Sequence, residues 1–129
     1  MAKNLEVIRT SYVAWSSGDL DAWLEGFHPN AELQTSGVWP DFDPVYRGTE
    51  GLAEFWHRMH EAWEVFRVDI EQISEEGDGF AAAVRFRAKG VDSGIEVDMR
   101  FAHAYQMRDG LIAVLFSRST LEQAREMLR

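Results

Sequence analysis

Apolar residues recur at three- and four-residue steps at the start of the chain, at Leu5, Ile8, Tyr12 and Trp15. That spacing predicts an amphipathic helix over about residues 3–16, ended by Ser17-Gly18. Asp19 is placed to cap a second, short helix running through about Phe27, with Leu20, Trp23, Leu24 and Phe27 on one side. His28-Pro29-Asn30 stops it, because the residue before a proline avoids helical angles. The period then falls to two. Ala31, Leu33 and Thr35 alternate with Glu32, Gln34 and Ser36, which predicts a strand over 31–36. Residues 37–44 hold Pro40, Pro44, Asp41 and Asp43 around Trp39 and read as a loop. Val45-Tyr46-Arg47 reads as a short edge strand. Thr49 can cap a third helix, with Leu52, Phe55, Trp56, Met59 and Trp63 at helical spacing.

From there the chain alternates. Phe66, Val68 and Ile70 oppose Arg67, Asp69 and Glu71 in a strand over 65–73, and Glu75 to Gly79 forms an acidic turn. Phe80, Ala82, Val84, Phe86 and Ala88 share one face of the next strand, and Lys89 to Gly94 is a polar turn. A hairpin follows, with arms over 95–107 and 111–118. Its turn is Asp109-Gly110, the strongest short-range hairpin signal because both residues tolerate positive φ. In its first arm Val97, Met99, Phe101, His103, Tyr105 and Met107 share one face, so a lone imidazole stands in an apolar and aromatic row. Ser119-Thr120-Leu121-Glu122 offers a capping box for a last helix through about Leu128.

The order is helix, helix, strand, helix, four long strands in an antiparallel meander, and a short helix. It predicts one α+β domain over residues 1–129, with helices on one face of a curved sheet. The opposite sheet face carries Arg67, Asp69, Glu71, Arg85, Arg87, Glu96, Asp98, Arg100, Phe116 and Arg118. Opposite charges on neighbouring strands can pair there, and the face reads either as solvated or as a polar homodimer interface.

Composition narrows the function. A net charge of −9 argues against a nucleic-acid partner, which needs a basic surface. With no cysteine, thiolate catalysis and disulfides are excluded, and a cytoplasmic location is expected. No apolar run approaches the roughly 20 residues of a membrane span, so no membrane partner is expected. There is no glycine-rich phosphate loop, nucleophile elbow or dinucleotide fingerprint, and no cofactor is expected. His57, His60 and Glu61 lie on one predicted helix, but glutamate does not directly follow the first histidine as in the zinc-protease pattern. No third ligand is apparent, and no metal site is expected.

The matching stretches are Tyr12 to Trp23, Phe27-His28-Pro29-Asn30-Ala31, Tyr46 to Gly51, Arg100-Phe101-Ala102-His103 and Arg108 to Ile112. Together with the element order, they resemble the SnoaL-like branch of the NTF2-like, ketosteroid-isomerase-like superfamily. The resemblance implies an α+β cone with a strongly curved antiparallel sheet and three main helices on its concave face. It also implies a pocket between helices and sheet for a small apolar ligand. Carried over by position, that pocket would be lined by Ser11, Trp15, Trp23, Phe27, Thr35, Phe55, Trp56, Phe86, His103, Leu115 and Ser117. A homodimer through the outer sheet face, at Arg85, Arg87, Asp98, Arg100, Phe116 and Arg118, is implied as well.

The departures bear on chemistry. Ketosteroid isomerases take a proton with an aspartate and hold the oxyanion with a tyrosine and a neutral aspartic acid. Here those positions look like Thr35, Ser11 (with Tyr12 adjacent) and His103. The last carboxylate of limonene-epoxide-hydrolase-like enzymes appears as Ser117. Threonine is no base near neutral pH, so steroid isomerisation by that route is disfavoured. His103 is the candidate catalytic residue, either moving a proton or donating to a substrate oxygen, with Ser11, Tyr12, Thr35 or Ser117 orienting that oxygen. The competing reading makes it a core histidine bonded to a hydroxyl. Trp15, Trp23, Trp56 and Trp63 fit either an aromatic cage or plain core filling, and Trp39 sits where a lid over the pocket would be. Three functions remain open: an isomerase, cyclase or lyase acting on a small apolar carbonyl compound; a non-catalytic binder of an apolar metabolite; and a dimerising structural domain.

Overall fold

The computed structural model describes residues 2–35 and 41–128. Its elements in order are α1 (Ala2–Ser17), α2 (Leu20–Glu25), β1 (Phe27–Gln34), β2 (Val45–Arg47), α3 (Gly48–Ala62), β3 (Trp63–Glu76), β4 (Gly79–Gly90), β5 (Glu96–Arg108), β6 (Leu111–Arg118) and α4 (Leu121–Glu126). The six strands form one sheet in the order β2-β1-β6-β5-β4-β3. β3 to β6 are the expected antiparallel meander, while β1 joins β6 in parallel. Helices α1, α2 and α3 close over one face of this sheet, in the expected α+β arrangement.

Local chemistry sets the boundaries. Gly18, at φ 80°, takes the left-handed conformation that ends α1, and the Asp19 side chain accepts from Ala22 N–H at 3.1 Å to start α2. Asp109 and Gly110 both have positive φ, as the β5–β6 hairpin requires.

Four boundaries differ from the expectation. α2 ends at Glu25, so Phe27 opens β1. Ile112 N–H donates to the Gly26 carbonyl, and pairing with β6 draws the chain into the sheet before Pro29 is reached. The β1–β6 register slips between Phe27 and Glu32, the stretch containing Pro29, which has no N–H for a ladder. α3 starts at Gly48, with Arg47 as N-cap and no side-chain cap; Thr49 lies inside the helix. Trp63 leaves α3 and opens β3, where it pairs with Gly90. The capping box of α4 is one residue later than expected, between Thr120 and Gln123.

The main core lies between α1–α3 and the concave face, with Ile8, Leu33, Leu52, Met59, Val84 and Ile112 essentially inaccessible. A smaller second core lies on the other face, where α4 covers Ala81, Ala102, Ala104 and Phe116. The alanines keep that face flat enough for Ala124 of α4 to be fully buried against it. Phe116, expected on the open outer face, is therefore beneath α4. The Arg118 guanidinium lies over its ring at 5.2 Å.

The rest of the outer face is a ladder of ion pairs. Arg85 grips Asp98 with Nε–Oδ1 at 2.8 Å, Arg67 and Arg87 share Asp69, and Arg100 reaches Glu71 at 2.8 Å. Burial raises the Asp69 pKa, but hydrogen bonds from Arg87 and Arg67 outweigh it and hold the carboxyl below its ordinary value.

Gly79 opens β4 where the sheet is tightest. A Cβ there would overlap the Tyr105 backbone oxygen and sit 2.8 Å from Leu128 Cδ2. Because the first obstacle is backbone, Gly79→Ala is expected to destabilise the protein by about 1–3 kcal/mol. The measurement is urea unfolding, which should show a lower midpoint with an unchanged slope.

Candidate active site

The site is built on β5. Period-two alternation points Phe101, His103 and Tyr105 to the same concave face. The ring of Phe101 lies 5.0 Å and that of Tyr105 5.9 Å from the His103 ring, both edge-on. α1 crosses above and places Tyr12 against them, its ring stacked on His103 at 5.7 Å. Tyr12 Oη and His103 Nδ1 are 2.6 Å apart, a short hydrogen bond inside an apolar wall.

These residues border an internal cavity of about 40 Å³. That is room for roughly three waters. α1 contributes Ser11, Tyr12 and Trp15, α2 Trp23, and α3 Phe55 and Met59. The sheet contributes Leu33, Val68, Phe86, Phe101, His103, Tyr105, Leu115 and Ser117. Trp15 is the hub of the aromatic roof, with Trp23, Phe55 and Trp56 at 5.0, 5.6 and 5.1 Å between ring centres.

The structure thus brings together Ser11, Tyr12, Trp15, Trp23, Phe55, Phe86, His103, Leu115 and Ser117 from the sequence-based set. It separates three others from the cavity. Phe27 is buried beside Trp23, because β1 begins there. Trp56 fills the core behind Trp15 and Trp23. The Thr35 hydroxyl donates to the Asp43 carbonyl at 2.8 Å and ties down the end of β1. Trp39 lies outside the described residues.

Leu33, Met59, Val68, Phe101 and Tyr105 were missed. Each carried a signal: the strand residues lie on apolar alternation faces, and Met59 follows Phe55 by one helical turn. His60 has both ring nitrogens at main-chain carbonyls, Nδ1 at 2.9 Å from Trp56 O and Nε2 at 3.3 Å from Trp15 O. It ties α3 to α1. Among the described residues no three His, Asp or Glu side chains are grouped to hold a metal.

The electrostatics are set by what is missing. No carboxylate, lysine or arginine is among the cavity-lining residues. Burial alone therefore acts on His103 and pushes its imidazole down to about 3, so that it is neutral at physiological pH. The residue is half-buried and lines the cavity. Burial also raises both tyrosines, and the Tyr105 hydroxyl is hydrogen-bond-coupled to those of Tyr12 and Ser11. The Ser11 hydroxyl donates to the Ile8 carbonyl at 2.6 Å. The hydroxyl chain thus ends on a main-chain oxygen that cannot take a proton.

The proton balance gives a testable pH dependence. Between about pH 6.5 and pH 3 the unfolded chain protonates this histidine and the folded one does not. The unfolded state binds more protons there, so stability is complete above the upper limit and falls as pH falls through the window, by about 1.4 kcal/mol per unit. Chemical denaturation at pH 6.5, 5.5 and 4.5 is expected to show a steeper loss for the wild type than for His103→Asn. Parallel profiles would mean that the ring is solvated.

A family model for the SnoaL-like domain matches residues 8–115. Among solved structures, TerC co-crystallised with polyporic acid has 21% identity and a TM-score of 0.82, covering 98% of both chains. Bal32a from a soil-derived mobile gene cassette has 21% identity and a TM-score of 0.81, covering 99% of this chain and 98% of its own. A Catenulispora acidiphila DSM 44928 protein with a ketosteroid-isomerase-like fold, in complex with trimethylamine, has 15% identity, a TM-score of 0.78 and 92% coverage of each chain. No curated protein matches the chain.

Proposed function

The chain belongs to the SnoaL-like domain family, and from that premise we propose that it holds a small apolar molecule in its cone and polarises one oxygen of that molecule through His103. The observation that carries this reading is the 2.6 Å bond between Tyr12 Oη and His103 Nδ1, which leaves Nε2 with no partner among the described residues. When Tyr12 donates to Nδ1, the ring proton sits on Nε2. A neutral imidazole in an apolar cavity is then a hydrogen-bond donor whose strength is undiminished by water.

The same features weigh against a general base. A base must store the proton it takes as imidazolium, and burial without an acid partner disfavours that ion. Nor can the proton drain through Tyr12 and Tyr105, since the chain stops at the Ile8 carbonyl. Isomerase, cyclase or lyase chemistry here would therefore need a proton acceptor other than this ring, a cavity water or a second group of the substrate itself, with His103 only polarising the oxygen. The second reading, a binding protein that leaves its ligand unchanged, is favoured by the lack of any lining carboxylate. The likeness to TerC, which was co-crystallised with polyporic acid, is in keeping with an organic ligand in this cone under either reading.

Cyclohex-2-enone, with cyclohexene as its deoxygenated counterpart, is the probe. NMR titration is expected to show the wild type preferring the enone, and His103→Ala losing that preference. Tyr12→Phe should weaken enone binding about 5- to 10-fold, as befits one hydrogen bond. No preference in the wild type would sink the proposal. Deuterium uptake by the bound enone in D2O separates the readings: uptake above the buffer rate marks polarisation with turnover, and uptake at the buffer rate marks a binder.

A further inference from the structure

Resting on that reading, we propose that Ser117 is the second half of the oxygen-binding site, and that Ser117 and His103 together select a neutral ligand with a carbonyl oxygen. Ser117 is 2% exposed and lines the cavity; its main-chain oxygen accepts from Arg118, while its hydroxyl makes no hydrogen bond among the described residues and is not sealed off within the protein. Buried hydroxyls are normally engaged, because leaving one unpaired costs free energy. The others here are engaged: Ser11 on Ile8 O, Thr35 on Asp43 O and Tyr12 on His103. A hydroxyl with no protein partner that borders the cavity is open to cavity water or to a ligand.

Its placement makes the pair. Ser117 of β6 is the direct cross-strand partner of His103 of β5. Side chains at such positions share a face with Cβ atoms about 5 Å apart. The free Nε2 and the free hydroxyl therefore form one polar patch on a wall otherwise made by Phe101, Leu115 and Phe86.

The chemistry of that patch defines the ligand. Two donors about one residue-width apart suit an sp² oxygen, whose two lone pairs lie in the carbonyl plane. An alcohol brings a proton of its own, which a hydroxyl oxygen such as that of Ser117 would have to accept, and the pair would then give its oxygen one donor instead of two. A carboxylate would enter a cavity with no lysine or arginine among its lining residues, at the full cost of desolvation. A ketone, enone or aldehyde has neither difficulty. The flat roof of Trp15, Trp23 and Phe55 adds a preference for unsaturated or ring-bearing compounds.

Ser117→Ala tests this with cyclohex-2-enone, cyclohex-2-enol and cyclohexene, by NMR titration and thermal unfolding. The expected result is an enone-to-cyclohexene affinity ratio about 5- to 10-fold lower than in the wild type, with cyclohexene affinity undiminished. Without ligand the variant should melt at the same temperature or higher, since no hydrogen bond within the protein is lost. A lower melting point with the ratio intact would assign Ser117 to the fold and overturn the proposal. So would a wild type that binds the enol as well as the enone. If His103→Ala loses the enone preference and Ser117→Ala keeps it, only the role of Ser117 falls. If the wild type binds no enone, both proposals fall together.

Discussion

An imidazole walled in by aromatic rings, with no acid beside it, is the constraint around which the rest of this structure is arranged. Where a histidine is paired with a carboxylate, the pair shares charge and the ring can cycle through imidazolium. Here His103 meets the Tyr12 phenol, stacked and hydrogen-bonded, and the rings of Phe101 and Tyr105 edge-on instead. The ring is held neutral, oriented through Nδ1, and left with one usable atom. That orientation depends on elements far apart in the chain. α1 must deliver Tyr12 from above, β5 must keep its alternation through Phe101 and Tyr105, and β6 must set Ser117 in register. A one-residue slip of β5 would turn the imidazole to the other side of the sheet. The Asp109-Gly110 turn, which sets the β5–β6 register, is in this sense part of the site.

The two faces of the sheet solve different problems. The concave face is aromatic and closes over a cavity. The other face is divided between α4, seated on alanines, and a ladder of arginine–carboxylate pairs. The ladder pairs are largely exposed, and each contributes little to stability on its own. Their effect is to keep the long strands soluble and in register, because like charges opposite one another would oppose the pairing. Arg85, Arg87, Asp98 and Arg100 thus already have partners within the chain. A second copy docking there would meet satisfied charges rather than bare ones.

Much of the fold was legible in the pattern of apolar positions. Changes of period marked the helices and the meander, and the hairpin turn was written in Asp109-Gly110. What could not be read locally was decided by pairing between distant strands. Phe27 looks helical from its neighbours, yet it enters β1 because β6 offers the Gly26–Phe27 stretch a ladder partner at Ile112. Phe116 looks like part of an open face because nothing in its own strand says that α4 will return across it. A small part of the site followed from alternation, which placed His103 and Phe86 correctly but also Thr35, which lies outside the cavity. The Tyr12–His103 bond did not, because helical periodicity says which face of α1 is buried but not which strand residue lies below it.

The economy of the cavity follows from these facts. The other hydroxyls on the cavity wall are engaged within the protein: Ser11 with its own helix, Tyr12 with Nδ1, and Tyr105 with Tyr12 and Ser11. What remains is polar at one patch and apolar around it, in a space of about 40 Å³. So small a volume implies that a ring-sized ligand displaces side chains as it enters. Met59 is the lining residue best suited to yield, being unbranched and adaptable, whereas Trp15 is wedged among neighbouring rings. The ligand would then replace a soft contact with its own apolar body and bring an oxygen to the two groups left without partners. On this argument the specificity of the cone rests on its unsatisfied atoms rather than on its shape.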